Sequence, residues 1–211
     1  MRETIASILI GCALAAPVFS AAKTPARQAP KALQAQPWAN EPDGFLGIKF
    51  GEPFPDQSTI PDCPKYLGSI DFQIVNSLPG LCFDGYGRKS YGSLWNIPAL
   101  GFPYSVDVMI DDGKPVTFII NTNPKWFPEL AKVLSQRYGK PMSDTTGSVQ
   151  SGTGAQFDNR TLRWVGQRVT ITADMRSGQV DTSKTYISDK AYWDARERAN
   201  EKAASDGASK L

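Results

Sequence analysis

The feature that most constrains the fold is an alternating stretch over residues 104–121. Alternation of apolar and polar side chains is typical of strands with one buried face. Residues 111–114 interrupt the pattern, and Gly113 allows the positive φ of a tight turn. The stretch predicts an antiparallel β-hairpin. The apolar positions are Tyr104, Val106, Val108 and Ile110 before the turn, and Val116, Phe118 and Ile120 after it.

A helix with one apolar stripe is predicted directly after this hairpin. Asn123 suits the N-cap and Pro124 the first turn, while Gly139 is typical of a helix end. We expect this helix to cover one face of the sheet. Its stripe consists of Trp126, Leu130, Val133, Leu134 and Tyr138.

Shorter patterns extend this core along the chain. We predict strands at 45–50, 69–75 and 81–83, a second hairpin over 162–173, an edge strand at 182–187 and a charged helix over 189–204. Residues 145–154 are small and polar, which predicts a flexible loop. The predicted fold class is α+β, an antiparallel β-sheet of hairpins with one central helix packed on one face and a C-terminal helix.

The first 22 residues have the layout of a secretory signal peptide. Arg2 precedes an apolar run over residues 5–18, and small residues lead to a cut after Ala22. The run is shorter than the ~20 residues that a membrane span needs. We therefore expect a periplasmic or secreted protein without a transmembrane span. The alternative is a lipoprotein anchored through Cys12, which would leave only residues 5–10 as the apolar region.

The composition divides the chain further. Residues 23–43 are rich in Ala, Pro, Gln and Lys and predict a flexible linker. A single α+β domain is predicted over 44–190, followed by a C-terminal helix and frayed tail over 191–211.

Two cysteines, Cys63 and Cys82, remain after removal of the signal peptide. In an oxidising compartment an even pair predicts a disulfide, the alternative being two buried free thiols. The sequence contains no histidine, and two thiols do not complete a tetrahedral zinc site. We predict neither a metal site nor a cofactor.

The net charge and the absence of histidine argue against several classes of function. The net charge of +2 lacks the basic excess of a dedicated nucleic-acid binder. Without histidine, Ser-His-Asp and Cys-His catalytic arrangements are impossible. Carboxylate chemistry stays open, either at Asp111 and Asp112 or at Asp62 and Asp84, which the disulfide would bring together.

The segment over residues 84–92 is the best candidate for a binding site. Tyr86, Arg88, Lys89 and Tyr91 alternate with glycines, and tyrosine and arginine are frequent in recognition surfaces. The alternative is an ordinary hairpin whose polar residues are simply exposed.

Two motifs resemble those of small exported proteobacterial proteins. They are the opening over residues 44–51 and the helix end Tyr138-Gly139-Lys140-Pro141. The helix-and-sheet layout is also similar to BamE-like outer-membrane assembly lipoproteins and periplasmic lysozyme inhibitors. This resemblance implies a protein that binds other proteins and is not an enzyme. The chain departs from the BamE-like pattern because its helix falls between strands, so no functional residue is carried over.

These observations predict an exported, non-enzymatic envelope protein that recognises another envelope protein or a glycan. Two alternatives remain: a carboxylate-dependent enzyme acting on cell-wall glycan, and a structural accessory subunit of an envelope complex. The sequence predicts no oligomeric state.

Overall fold

The computed structural model describes residues 38–210. The predicted signal peptide, Cys12 and residues 23–37 of the predicted linker lie outside this range. Within it, a large antiparallel sheet and three helices give a mixed fold in which the sheet dominates. Among these residues, no helix is both long and apolar enough to cross a bilayer.

The elements follow one another from Gly44 to Ala208. The strands are β1 (Gly44–Phe45), β2 (Ile48–Lys49), β3 (Lys65–Tyr66), β4 (Ser69–Ile70), β5 (Cys82–Gly85), β6 (Tyr91–Trp95), β7 (Ser105–Asp111), β8 (Lys114–Thr122), β9 (Ser143–Gln150), β10 (Gln156–Val165), β11 (Val169–Asp174) and β12 (Ser183–Asp189). The helices are α1 (Phe72–Val75), α2 (Phe127–Tyr138) and α3 (Lys190–Ala208), and a 3-10 turn (Pro124–Trp126) leads into α2.

Two four-stranded meanders build the main sheet. Its strand order is β5-β6-β7-β8-β12-β11-β10-β9, and neighbouring strands are antiparallel throughout. β5 to β8 form the first meander, β9 to β12 form the second, and α2 connects them. The meanders meet where β8 pairs with β12. The segment predicted as an edge strand at 182–187 is therefore an interior strand, because the second meander runs back toward the first.

The predicted hairpin over 104–121 is confirmed as β7 and β8. Asp112 and Gly113 form its turn with φ angles of 47° and 69°. The alternating residues Val106, Val108 and Phe118 are fully buried. They therefore lie on the face of the sheet that forms the hydrophobic core.

The predicted central helix is also confirmed, in the form of the 3-10 turn followed by α2. The Asn123 side chain accepts a hydrogen bond from the Lys125 backbone N–H at 3.1 Å. Leu130 and Leu134 belong to the same buried cluster as Phe118 on β8. This shared cluster is the core of the described chain.

Helix α3 contacts the face of the sheet opposite the hydrophobic core. Trp193 Nε1 donates to Thr117 Oγ1 at 2.8 Å, and Thr117 is the strand neighbour of the core residue Phe118. α3 has no buried residue, so only its first turns are fixed to the sheet. It continues to Ala208, beyond the point where the sequence predicted fraying.

Residues 69–75 do not form the predicted strand. They form β4 and then α1 because the Asp71 side chain caps a helical turn, accepting from the backbone N–H groups of Gln73 at 3.1 Å and Ile74 at 3.2 Å. The alternating residues Phe72 and Ile74 are consequently exposed.

Two further predictions change for similar local reasons. The flexible loop predicted at 145–154 is largely strand β9, which pairs with β10 over its whole length. An edge strand with little burial needs no apolar alternation, so composition alone concealed it. The single strand predicted at 45–50 is the hairpin β1–β2, with Leu46 and Gly47 in the turn.

The end of the predicted linker is attached to the domain. Trp38 Nε1 donates to the Tyr138 carbonyl oxygen at 2.5 Å. The Glu41 carboxylate accepts from the backbone N–H groups of Arg168 at 2.5 Å and Val169 at 2.8 Å. Contacts with the domain thus extend to Trp38, before the predicted domain start at residue 44.

The predicted disulfide between Cys63 and Cys82 is confirmed. It ties the segment that carries β3, β4 and α1 to strand β5. Cys82 is fully buried, and Cys63 is nearly so.

Replacing both cysteines (Cys63→Ala with Cys82→Ala) should lower the free energy of unfolding by about 3 kcal/mol, because the unfolded chain regains the freedom of this loop. Urea denaturation against the oxidised wild type measures the difference. Limited proteolysis should also show new cleavage between residues 64 and 81. An unchanged midpoint and an unchanged cleavage pattern would contradict the stabilising role.

Candidate functional site

The four residues predicted as a binding site lie in and beside the connection between β5 and β6, but they do not share one role. Tyr86 is 94% exposed and Tyr91 is 48% exposed. Lys89 is exposed as well. The Arg88 side chain, in contrast, is only 15% exposed.

Arg88 is engaged within the molecule. Its guanidinium donates to the carbonyl oxygens of Pro55 at 3.0 Å and Ile60 at 2.6 Å and to the Asp62 carboxylate at 2.6 Å. Its Cζ atom lies 5.0 Å from the ring centroid of Phe83. Arg88 therefore holds residues 55–62 against β5, and its predicted use as an exposed recognition cation does not fit this geometry.

Tyr91 lies on the face of the sheet opposite the core. Its cross-strand neighbour is Met109, and Asp107 lies close to it on the same face. Burial, followed by the nearby Asp107 carboxylate, raises the pKa of the Tyr91 phenol. Asp107 itself accepts hydrogen bonds from Ser93 at 2.6 Å and Asn121 at 2.8 Å. These polar groups bond to one another and leave the Tyr91 ring half exposed.

The segment between the two cysteines is held to this same face. The Lys65 ammonium lies 2.7 Å from the Asp84 carboxylate, which raises the pKa of Lys65. The Phe72 ring meets Trp95 edge-on, with 5.4 Å between ring centroids. Together with the disulfide, these contacts join β3, β4 and α1 to β5 and β6.

Exposed apolar side chains are concentrated in this part of the molecule. Within residues 38–210, the large apolar residues that are exposed all fall between positions 66 and 91. We call them the exposed apolar surface: Tyr66, Leu67, Phe72, Ile74, Tyr86 and Tyr91. Apolar side chains exposed in adjoining segments are candidates for an interaction site, because folded proteins seldom leave large apolar patches uncovered.

Leu67 is the most unusual member of this surface. It lies in the β3–β4 turn with a φ of 49°, followed by Gly68 with a φ of 83°. Two successive positive φ angles favour Asn-Gly or Asp-Gly, and a leucine there is strained. Leu67 is also 88% exposed, so no burial among residues 38–210 offsets the strain.

The β1–β2 turn supplies an internal comparison. Leu46 has a φ of 52° and is followed by Gly47 with a φ of 81°, so the two turns have the same backbone conformation. Leu46, however, packs against the hydrophobic core. Packing against the core therefore offsets the backbone strain of the leucine in the β1–β2 turn, whereas no such packing offsets it in the β3–β4 turn.

The carboxylates considered for catalysis are separated into individual contacts. Asp62 pairs with Arg88, and Asp84 pairs with Lys65. Asp111 accepts a hydrogen bond from the Tyr192 hydroxyl at 2.7 Å, while Asp112 forms part of the β7–β8 turn. In the part of the chain that the structure describes, no group of three or more acidic or cysteine side chains is arranged to hold a metal ion.

Sequence reasoning located Tyr86 and Tyr91 but missed the other four members of the surface. Phe72 and Ile74 matched a half-buried strand, which concealed their exposure. The signal for Leu67 was available, because Tyr66-Leu67-Gly68 repeats the aromatic-Leu-Gly pattern of Phe45-Leu46-Gly47. Only the structure distinguishes Leu46, which packs against the core, from the exposed Leu67.

Comparison of the chain with protein-family models, curated proteins and solved structures finds no match. The resemblance to small envelope proteins therefore stays a prediction. The function has to be argued from the exposed apolar surface and the way it is supported.

The Arg88→Ala variant should lose about 2–3 kcal/mol of unfolding free energy, because the partly buried Pro55 and Ile60 carbonyl oxygens lose a charged donor. Lys89→Ala is the matched control, since Lys89 is the exposed neighbouring cation, and it should leave the urea midpoint unchanged. Equal effects of the two substitutions would show that Arg88 has no internal structural role.

Proposed function

We propose that this protein is an exported, non-enzymatic envelope protein that recognises another protein through the exposed apolar surface. The observation that carries the proposal is Leu67, which is strained and solvent-exposed at the same time. Strain of this kind persists where it serves function, and here no contact within the described chain repays it. A partner that buries Leu67 would supply the missing compensation.

The residue types of the surface support protein recognition. Tyrosine and other aromatic side chains dominate the energetic centres of protein interfaces. Tyr66, Tyr86 and Tyr91 each offer a large ring and one hydroxyl, and they fix few rotatable bonds on binding. The Lys65–Asp84 ion pair supplies charged groups beside them.

The contacts that hold the exposed apolar surface in place favour binding without rearrangement. The disulfide, the Asp71 cap on α1 and the three hydrogen bonds of Arg88 hold its segments in place. A rigid surface loses less conformational entropy on association than a flexible one. The strained Leu67 is thus presented by a fixed turn.

Two observations support export: the disulfide and the sequence pattern of the first 22 residues. Disulfides persist in oxidising compartments such as the periplasm and the extracellular space. The signal-peptide pattern over residues 1–22 points to the same compartments. A periplasmic or secreted location is therefore proposed together with protein recognition.

Leu67→Asn separates stability from binding. Asparagine tolerates positive φ far better than leucine, so the variant should gain about 1 kcal/mol in unfolding free energy. It should also lose partner binding, because the central apolar side chain is gone. Urea denaturation measures the first effect. Photo-crosslinking from position 67 in intact envelopes, read by mass spectrometry, identifies the partner for the second.

Leu46→Asn is the matched control in the other turn. It should lose stability through lost packing and retain the partner, since Leu46 is not part of the exposed apolar surface. A crosslinking group at Lys202, on the exposed part of α3, should capture no comparable partner. A Leu67→Asn variant that still binds the identified partner at wild-type strength would refute the assignment of this surface.

A further inference from the structure

A separate apolar pocket lies between the β1–β2 turn, the loop that precedes β7, and α2. Its volume is about 310 Å³. Leu46, Leu100, Ile120 and Val133 are among its apolar walls, and Arg137 and Tyr138 contribute its polar edge. Ile120 and Tyr138 belong to the core cluster, whereas Tyr91 of the exposed apolar surface lies on the other face of the sheet.

Water is a poor occupant of this pocket. About 310 Å³ corresponds to roughly ten water molecules at about 30 Å³ each, and every water needs two or more polar partners. The Tyr104 hydroxyl is already bonded to the Pro98 carbonyl oxygen. The walls therefore leave few groups that could hold water, and an apolar occupant fits them better.

A more polar cavity lies next to this pocket. A second cavity of about 430 Å³ shares Phe45, Leu46, Arg137 and Tyr138 with the apolar pocket. Lys49 also lines this cavity and lies within 4 Å of acidic groups, 3.7 Å from Asp43. Arg137 lines both cavities, is exposed, and places its Cζ atom 5.6 Å from the Tyr138 ring centroid. It forms no ion pair with any carboxylate of residues 38–210, so its charge is free for an anionic group at the junction.

A second polar group at this junction also lacks a partner. The Tyr138 side chain is 3% exposed, and its hydroxyl forms no hydrogen bond to any of the residues that the structure describes. Burial raises the pKa of this phenol, and the adjacent Arg137 opposes the rise. The Tyr138 hydroxyl is closed off from solvent, so the exposed Arg137 guanidinium is the donor available to an acceptor group at this junction.

We propose that the apolar pocket binds an aliphatic chain of roughly eight to ten carbons, about the length its volume holds, with an anionic head group at Arg137. The aliphatic chain replaces water that forms few hydrogen bonds with the walls. The anionic head group forms an ion pair with the Arg137 guanidinium. This site is independent of the proposed recognition function. It uses the core face of the sheet and shares no residue with the exposed apolar surface.

Calorimetric titration of the full mature chain with decanoate tests the proposal. Saturable binding of one decanoate per chain is expected, with butyrate weaker by at least about a hundredfold because it buries far less hydrocarbon. Decyltrimethylammonium, which has the same chain and the opposite charge, should bind more weakly than decanoate. Absence of saturable decanoate binding, or equal binding of the cationic probe, would overturn the proposal.

Two substitutions on α2 locate the head group. Arg137→Gln should weaken decanoate binding by about tenfold. Lys132→Gln removes an exposed cation from the same helix outside both cavities and should change nothing. Equal losses in the two variants would place the anion elsewhere and contradict the site.

Phosphatidylglycerol vesicles distinguish a free acid from the acyl chain of a lipid. Decanoate binding without vesicle co-sedimentation supports a free carboxylate ligand, and loss of vesicle binding in Arg137→Gln supports a lipid chain. Leu67→Asn should leave the decanoate affinity unchanged. Failure of the recognition function and failure of this site are therefore observed separately.

Discussion

The pairing of β8 with β12 is the interaction on which the rest of the structure depends. Each meander alone buries only part of a hydrophobic face, and this seam joins the two into one sheet. Phe118 and Ile187 face each other across it, and both are fully buried. The same seam places Thr117 on the other side of the sheet, where α3 is fixed through Trp193. The core and the attachment of both longer helices therefore depend on one set of hydrogen bonds.

The sheet separates two surfaces with different chemistry. On the core face, apolar walls and the Arg137 guanidinium line a pocket of about 310 Å³. On the other face, a disulfide-bound segment presents the exposed apolar surface. Two leucines in similar turns show the contrast most directly. Both have a positive φ, but Leu46 packs against the core cluster and Leu67 faces solvent. The two proposed binding sites therefore share no residue.

Sequence patterns predicted the elements whose formation depends on residues close to one another in the chain. The β7–β8 hairpin followed from alternation, and α2 followed from Asn123, Pro124 and Gly139. Strand β9 could not be found in this way, because its stability comes from pairing with β10 and its own side chains are polar. For the site, Tyr86 was recognisable from composition. The inward role of Arg88 was not, because it depends on contacts with residues 26 to 33 positions earlier in the chain.

The apolar character of β8 has a consequence for the order of folding. Val116, Phe118 and Ile120 are buried on the core face, and Ile119 is 9% exposed on the other. During synthesis the first meander emerges before β12, whose residues lie about 70 positions later, as in the pairing of Thr117 with Ser188. Until then β8 is a hydrophobic edge with unpaired backbone groups, which is the form of strand most prone to intermolecular pairing. The seam that completes the fold is therefore also the point most exposed to intermolecular pairing before folding is complete.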